Sequence, residues 1–311
     1  MIENNYIIQK YNYYLYSINK MNTKPILTNV LSIRNKHPRD ENIQFFEEGH
    51  KYVIKTDADS KYTSVTTWNH SHFPHFDADD VISKMVKGKN WKEGHKYWGM
   101  TPDQIKEQWN SNKDAVSGAG TDMHFEIECF MNDKCLMSDY SHKELYQNYN
   151  CDFIKKGNHD SKSLEWKYFI EFVKDTPELK PYRTEWTIYH EELKLAGSID
   201  MVYEHPDGSL SIYDWKRSKD ITRINNFNKY ALTDSICHMP DSNFWHYALQ
   251  LNTYKAILED KYEKKIKDLY LVRLHPDNED KTYELIKIPD LSKDIMGLFQ
   301  QRIKEIANEN A

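Results

Sequence analysis

The sequence predicts an α/β fold: a central β-sheet flanked by helices, with an N-terminal helical lobe. Three observations carry this. Five strand-like runs gather in the second half, at Pro181–Tyr189, Ala196–Glu204, Ser209–Arg217, Lys267–Leu274 and Tyr283–Ile288. The second and third flank Pro206-Asp207-Gly208, a turn signal in which Pro presets φ and Gly accepts φ > 0, so they form a β-hairpin. Runs with helical spacing at Leu164–Val173, Phe244–Glu259 and Leu291–Asn308 alternate with these strands, and a further helical stretch precedes them all.

At 311 residues the chain holds one large domain or two modest ones, and an apolar fraction of 39% is enough for a sizeable core. A net charge of −6 does not suggest a generally basic coat for nucleic acid, and does not exclude nucleic acid as a partner. It leaves room for local basic patches, and a carboxylate metal site is itself acidic before metal enters. The four cysteines, Cys129, Cys135, Cys151 and Cys237, show no C-x-x-C spacing. They argue against a zinc ribbon and read as reduced thiols of an intracellular protein. No stretch reaches transmembrane length and the start lacks an apolar signal core, so no membrane partner is expected.

In chain order, residues 1–40 form a polar, mildly basic arm. Lys10, Lys20, Lys24, Arg34, Lys36 and Arg39 face only Glu3 and Asp40 there, and a partly ordered tail is expected. Residues 41–116 hold a hairpin and a helical lobe. Phe45–Thr67 alternates and predicts a hairpin turning near Asp57–Ser60. His70, His72 and His75 occupy a Pro-containing loop without helical register or an acidic partner, so no metal is assigned to them. Asp77–Lys87 reads as a short amphipathic helix. Thr101-Pro102-Asp103-Gln104 is a capping box with Pro at the first helical position, predicting a helix toward Ala115.

Residues 117–311 form the core. Ser117-Gly118-Ala119-Gly120 breaks or kinks the helix, and a new one starts at Thr121 with His124, Ile127, Glu128 and Met131 on one face. Lys134–Ser163 is polar and aperiodic, hence a loop or insertion. Trp166, Phe169 and Phe172 recur every three residues as a buried helix face. In the strand Pro181–Tyr189, Glu185 is either a site acid or a cross-strand partner for a lysine. After the hairpin, Arg217, Lys219, Arg223 and Lys229 form a basic run that either contacts phosphate or is simply solvated. Tyr247, Gln250, Tyr254 and Ile257 fall on one stripe of the helix Phe244–Glu259.

The chemistry concentrates in residues 197–216. Asp200 lies on the first hairpin strand; Asp214 and Lys216 lie two apart on the second and point to the same face. Two half-buried carboxylates repel, and one tends to hold its proton. A divalent cation removes the conflict, because hard cations take carboxylate oxygens, and it orients and acidifies a water. The ammonium can steer that water or steady developing negative charge.

Gly197-x-x-Asp200 followed by Asp214-x-Lys216 resembles the core of the PD-(D/E)XK nuclease superfamily, in a form similar to its RecB-like branch. Tyr62–Thr67 and Gly120-Thr121-x-x-His124-x-x-x-Glu128 stand upstream and Gln250-x-x-x-Tyr254 downstream, in the order of that branch. The resemblance thus covers about Tyr62 to Tyr254. Asp replaces Glu before x-Lys, which the branch allows. No cysteine follows Cys237, so the iron–sulfur cluster of some RecB-like nucleases is not expected.

The resemblance implies a restriction-endonuclease-like core with a mixed central sheet, the helical lobe walling a cleft, and hydrolysis of DNA with Mg²⁺ or Mn²⁺. His124, Asp200, Asp214 and the carbonyl of Trp215 would bind metal, and Lys216 would position or activate water. Glu128, Gln250 and Tyr254 would support the site or strand, Glu185 is a possible further acid, and Arg217, Lys219 and Arg223 would meet phosphate. The expected activity is that of a single-strand-preferring DNA exonuclease in repair, recombination or genome maintenance. An RNA or DNA endonuclease with the same site, and a catalytically inactive nucleic-acid-binding module, are the alternatives. The intact Asp200, Asp214 and Lys216 argue against the inactive module, since binding alone does not require all three. No Gly-x-x-x-x-Gly-Lys-Ser/Thr loop is present, so no fused helicase motor is expected.

Overall fold

The computed structural model describes residues 29–132, 141–148 and 163–309. In chain order its elements are α1 (Val30–Arg34), β1 (Ile43–Phe46), β2 (Lys51–Ile54), β3 (Thr63–Ser64), α2 (Val65–Ser71), α3 (Ala78–Val86), α4 (Pro102–Asn132) and α5 (His142–Asn148). They continue with α6 (Leu164–Asp175), β4 (Lys180–His190), β5 (Leu195–Glu204), β6 (Leu210–Lys216), α7 (Asn243–Lys261), β7 (Ile266–Arg273), β8 (Glu284–Lys287) and α8 (Ser292–Glu309). Lys10, Lys20, Lys24, Glu3, Cys135 and Cys151 lie outside the described residues.

The fold is the expected mixed α/β sheet with flanking helices and an N-terminal helical region. Six strands run β3-β5-β6-β7-β8, with β4 paired to β5. β4, β5 and β6 are antiparallel neighbours. The connection through α7 then returns the chain parallel to β6 as β7, and β8 closes the edge antiparallel. One face packs on α2, α7 and α8 through Trp68, Trp186, Ile199, Ile212, Leu249 and Leu298. The other packs on α4 and α6 through Ile127, Phe130, Phe169, Met201, Tyr213 and Trp215. Among the described residues no helix is long and apolar enough to cross a membrane.

Four local expectations are corrected. The N-terminal hairpin turns at residues 47–50, where Gly49 and His50 take positive φ (75° and 49°), rather than near Asp57–Ser60. Asp57 instead ends a 3₁₀ turn and accepts from Ser60, Tyr62 and Lys194, while Val65–Thr67 begins α2. The helix opened by the Thr101–Gln104 capping box runs unbroken for 31 residues, through Ser117–Gly120 and through position 116/117. Two interior glycines cost roughly 1 kcal/mol each, and the burial of Met123, Ile127, Phe130 and Met131 on the sheet offsets this.

Within the stretch expected as loop or insertion, α5 packs on α6, and its buried His142 meets Thr176 and the Tyr203 hydroxyl. The described end of the arm, residues 29–40, is docked rather than a tail. Leu31 is fully buried, Asp40 accepts from Arg183 and Trp186, and Arg39 donates to the Tyr189 carbonyl and Glu191. His72 bonds Thr233, and the His70 ring meets that of His246.

Candidate active site

The sheet places three acids side by side. The β4–β5 ladder pairs Thr184 with Met201 and Trp186 with Ile199, so Glu185 stands opposite Asp200. The β5–β6 ladder ends at the Met201–Tyr213 pair, and the next positions in that register are Asp200 and Asp214. Beyond Met201 the strands part, and the Asp200 carboxylate accepts from the Trp215 amide at 3.0 Å. The pleat inverts at the same level: Ile199 and Met201, two apart, lie in the cores on opposite faces. Glu185 takes φ 42° inside its strand. A left-handed residue that is not glycine costs about 1–2 kcal/mol. It turns Thr184 toward α4, where Asn132 donates to it at 2.8 Å, and Trp186 toward α7.

Gly197 is set by packing. A Cβ there would lie 2.7 Å from Cε1 of Tyr254, so only glycine lets α7 lie this close to β5. The Tyr254 hydroxyl accepts from Gln250 at 3.3 Å. From the same helix Tyr247 presents its ring to Lys216, whose Nζ stands 4.6 Å from the ring centroid.

α4 brings His124 over the sheet. Its Nε2 lies 2.9 Å from the Trp215 carbonyl, which can only accept, so Nε2 carries the proton. Nδ1 then turns its lone pair toward Asp200, at 3.6 Å, and Glu185, at 3.9 Å. Asp214 is 2% exposed, and its Oδ2 meets Lys216 Nζ at 2.6 Å as an ion pair without an aligned hydrogen bond. One turn after His124, Glu128 accepts from the Asn29 amide at 3.4 Å, and that amide also donates to Thr184.

Burial dominates the electrostatics. It raises Glu185, repulsion from Asp200 adds to this, and a hydrogen bond from Ser198 at 2.9 Å opposes it. Asp214 is raised by burial, with Lys216 pulling down and Asp200 pushing up. Glu128 is pushed up to about 7 by burial, against the Asn29 bond. Burial alone would lower Lys216, but Asp214, Asp200 and Tyr247 outweigh it, so the lysine stays protonated. Asp200 and Asp214 thus share the Lys216 ammonium, and Glu185 adds a further acid beside Asp200.

That charge excess suits a divalent cation. One ligand atom each from His124, Glu185 and Asp200 lies within 4.8 Å of the others. Ligands around Mg²⁺ at about 2.1 Å stand roughly 3–4.2 Å apart, and the His124 contacts fall in that range. Of the residues expected at a site, His124, Glu128, Glu185, Asp200, Asp214, Trp215, Lys216, Gln250 and Tyr254 come together. The basic run does not join them. Arg217 is held by Glu165 at 2.7 Å, Lys219 lies 3.9 Å from Asp277, and Arg223 stacks on Phe244 at 4.0 Å. Asn29, Ser198 and Tyr247 were not expected at the site. Tyr247 could have been, since it precedes Gln250 by three on the same stripe.

The profile of the PD-(D/E)XK nuclease superfamily matches residues 137–311, more than half of the chain. The chain belongs to the PD-(D/E)XK nuclease superfamily. The matched region includes Glu185, Asp200, Asp214, Lys216, Gln250 and Tyr254, and leaves His124 and Glu128 outside it. Membership implies a phosphodiesterase acting on nucleic acid, and a divalent metal is typical of this superfamily. A crystal structure of a "Putative exonuclease" from Eubacterium rectale is similar at 13% identity, over 86% of this chain and 88% of that one, with a TM-score of 0.37. No curated protein matches the chain.

Proposed function

We propose that this PD-(D/E)XK protein is a metal-dependent deoxyribonuclease of the RecB-like form that degrades single-stranded DNA from an end, in repair, recombination or genome maintenance. The observation that carries the reading is the row Glu185, Asp200 and Asp214 across three adjacent strands, with His124 above it and Lys216 beside it. His124 Nδ1, Glu185 and Asp200 would hold Mg²⁺ or Mn²⁺, with Asp214 as a further ligand; the Trp215 carbonyl accepts from Nε2 on the opposite side of the imidazole and would not reach the same ion. When bound, the cation supplies Lewis acidity and an acidified water.

The chain's own groups do the rest. The Trp215 carbonyl fixes the His124 tautomer, and the Asn29 bridge orients Glu128. Lys216, kept protonated by Asp214, is a donor: it orients the attacking water and meets the negative charge that develops on the phosphate. Tyr247 presents its ring face to the Lys216 ammonium, a cation–π contact that helps hold it in place.

End dependence rests on the lobe. Residues 110–118 of α4 are exposed. Beyond them Phe76, Tyr97 and Trp109 cluster, with Trp91 and Trp98 in contact nearby. Aromatic rings of this kind stack unpaired bases without reading sequence. The test compares linear with covalently closed circular single-stranded DNA of one sequence, with RNA alongside, under one metal and salt condition. Loss of the linear DNA alone is expected; equal loss of the circle marks an endonuclease, and preferential loss of RNA marks a ribonuclease.

A further inference from the structure

The loop that leaves the site carries four large apolar side chains in solvent. Phe227 is 82% exposed and Ile224 69%, with Leu232 and Tyr230 beside them in the sequence. Such side chains on one short loop are costly unless they meet a partner. The loop is nonetheless built. The Asn225 side chain accepts from the amides of Phe227, at 2.7 Å, and Lys229, at 3.3 Å, and donates to the Asp241 carbonyl. Asn228 takes φ 52°, a left-handed turn that asparagine tolerates. Phe227 is therefore presented on a fixed turn.

The loop is also tied to the wall of the site. Asn243, the first residue of α7, bonds the Thr222 amide and the Asp220 carbonyl. Trp245 donates to the Arg223 carbonyl at 3.0 Å, and the Arg223 guanidinium lies over Phe244. One turn further along α7, Tyr247 faces Lys216. The segment 217–232 carries Arg217, Lys219, Arg223 and Lys229 against Asp220 alone, inside a chain of net charge −6. Arg217 is taken up by Glu165 and Arg223 by the Phe244 face, which leaves Lys229, two residues from Phe227, as the cation next to the ring in the sequence. An exposed ring with a neighbouring lysine suits a strand that offers unpaired bases and phosphates together.

We propose that Phe227 is a stacking platform for an unpaired base of a single-stranded nucleic acid, placed on the loop that follows Lys216. This rests on the nucleic-acid reading of the site and adds a specificity element to it. The platform favours single strands, because the interior pairs of a duplex are stacked on both faces and only its two terminal pairs offer a free face to the ring.

The test is fluorescence anisotropy of a labelled oligothymidylate and of a blunt duplex, in excess chelator, with wild type, Phe227→Ala and Phe227→Trp. Binding is read without cleavage, so an inactive chain would still report on the platform. Phe227→Ala should weaken oligothymidylate binding roughly 5- to 150-fold, the range of one base–aromatic stack, with duplex binding and thermal midpoint unchanged. Phe227→Trp should retain wild-type affinity. Asn225→Ala, which releases the turn, should weaken binding in the same direction. Wild-type affinity in Phe227→Ala, absence of oligothymidylate binding by wild type, or an equal loss on duplex overturns the proposal. So does a Phe227-dependent dimer in sedimentation without DNA, which would make the loop a protein interface. Cleavage that persists in chelator bears on the metal mechanism instead and leaves the platform to the affinity comparison.

Discussion

Glu185 and Asp200 stand opposite one another on neighbouring strands, and neither completes a ladder pair. The strained backbone of Glu185 therefore sits where the sheet gathers its acids. Glu185→Gly should relieve that strain, because glycine accepts φ 42° without penalty, and should remove one carboxylate from the cluster. Thermal unfolding in chelator should show a variant at least as stable as wild type, while calorimetry shows weaker Mn²⁺ binding. A variant that unfolds well below wild type would mean that the side chain, through Ser198, holds the strand.

Asp214 and Lys216 divide their work. Asp214→Ala should abolish cleavage and weaken metal binding. Lys216→Ala should abolish cleavage, or reduce it sharply, with metal binding nearly intact, since it removes a group that acts on the water rather than a metal ligand. Gln250→Ala should be milder than either, since Gln250 reaches the site through the Tyr254 hydroxyl. Calorimetry that shows the lysine variant losing metal as fully as the aspartate variant would assign Lys216 a different role.

Glu128 gives the metal-free protein a pH dependence. Its pKa rises from an ordinary 4.5 in the unfolded chain to about 7 in the fold. The folded state then binds more protons between those values. Its share of stability is fully present below about pH 4.5 and is lost as pH rises through 7. In excess chelator, Glu128→Gln should make the fall in thermal midpoint across pH 5–7.5 shallower than in wild type, the remainder coming from the raised Glu185 and Asp214. Parallel curves for the two proteins would show that Glu128 ionises freely in the fold.

Gly197 differs from Gly118 and Gly120 in what it does. A methyl at Gly197 meets Tyr254 at 2.7 Å, so Gly197→Ala should cost about 1–3 kcal/mol as overpacking, and Tyr254→Leu in the same chain should recover part of it. Gly118 and Gly120 have open space around the missing Cβ, so alanine at each should stabilise α4 by roughly 0.5–1 kcal/mol with cleavage unchanged. Denaturant unfolding measures both. A loss of activity in the alanine variants would make α4 a bending element.

The sheet was legible because its signals are local. Pro206-Asp207-Gly208 marks the β5–β6 turn, and the spacing of Asp214 and Lys216 fixes their common face before any tertiary contact. α4 was misread because glycine is a local penalty, and the burial of Ile127 and Phe130 against distant strands overrides it. The docking of Asn29 and Leu31 was hidden, since those residues are held by Thr184 and Asn132, more than 100 positions away. Glu185 had the right chemistry in the sequence, but nothing local announces that its backbone turns left-handed to face Asp200.

The central claim is that these acids become a nuclease when a divalent cation joins them. The most direct measurement is hydrolysis of a linear single-stranded DNA by the purified protein, with Mg²⁺ or Mn²⁺ and then with excess chelator. Degradation with either metal that stops on chelation is the predicted result. Undiminished degradation in chelator, or none with any divalent metal, would contradict the account.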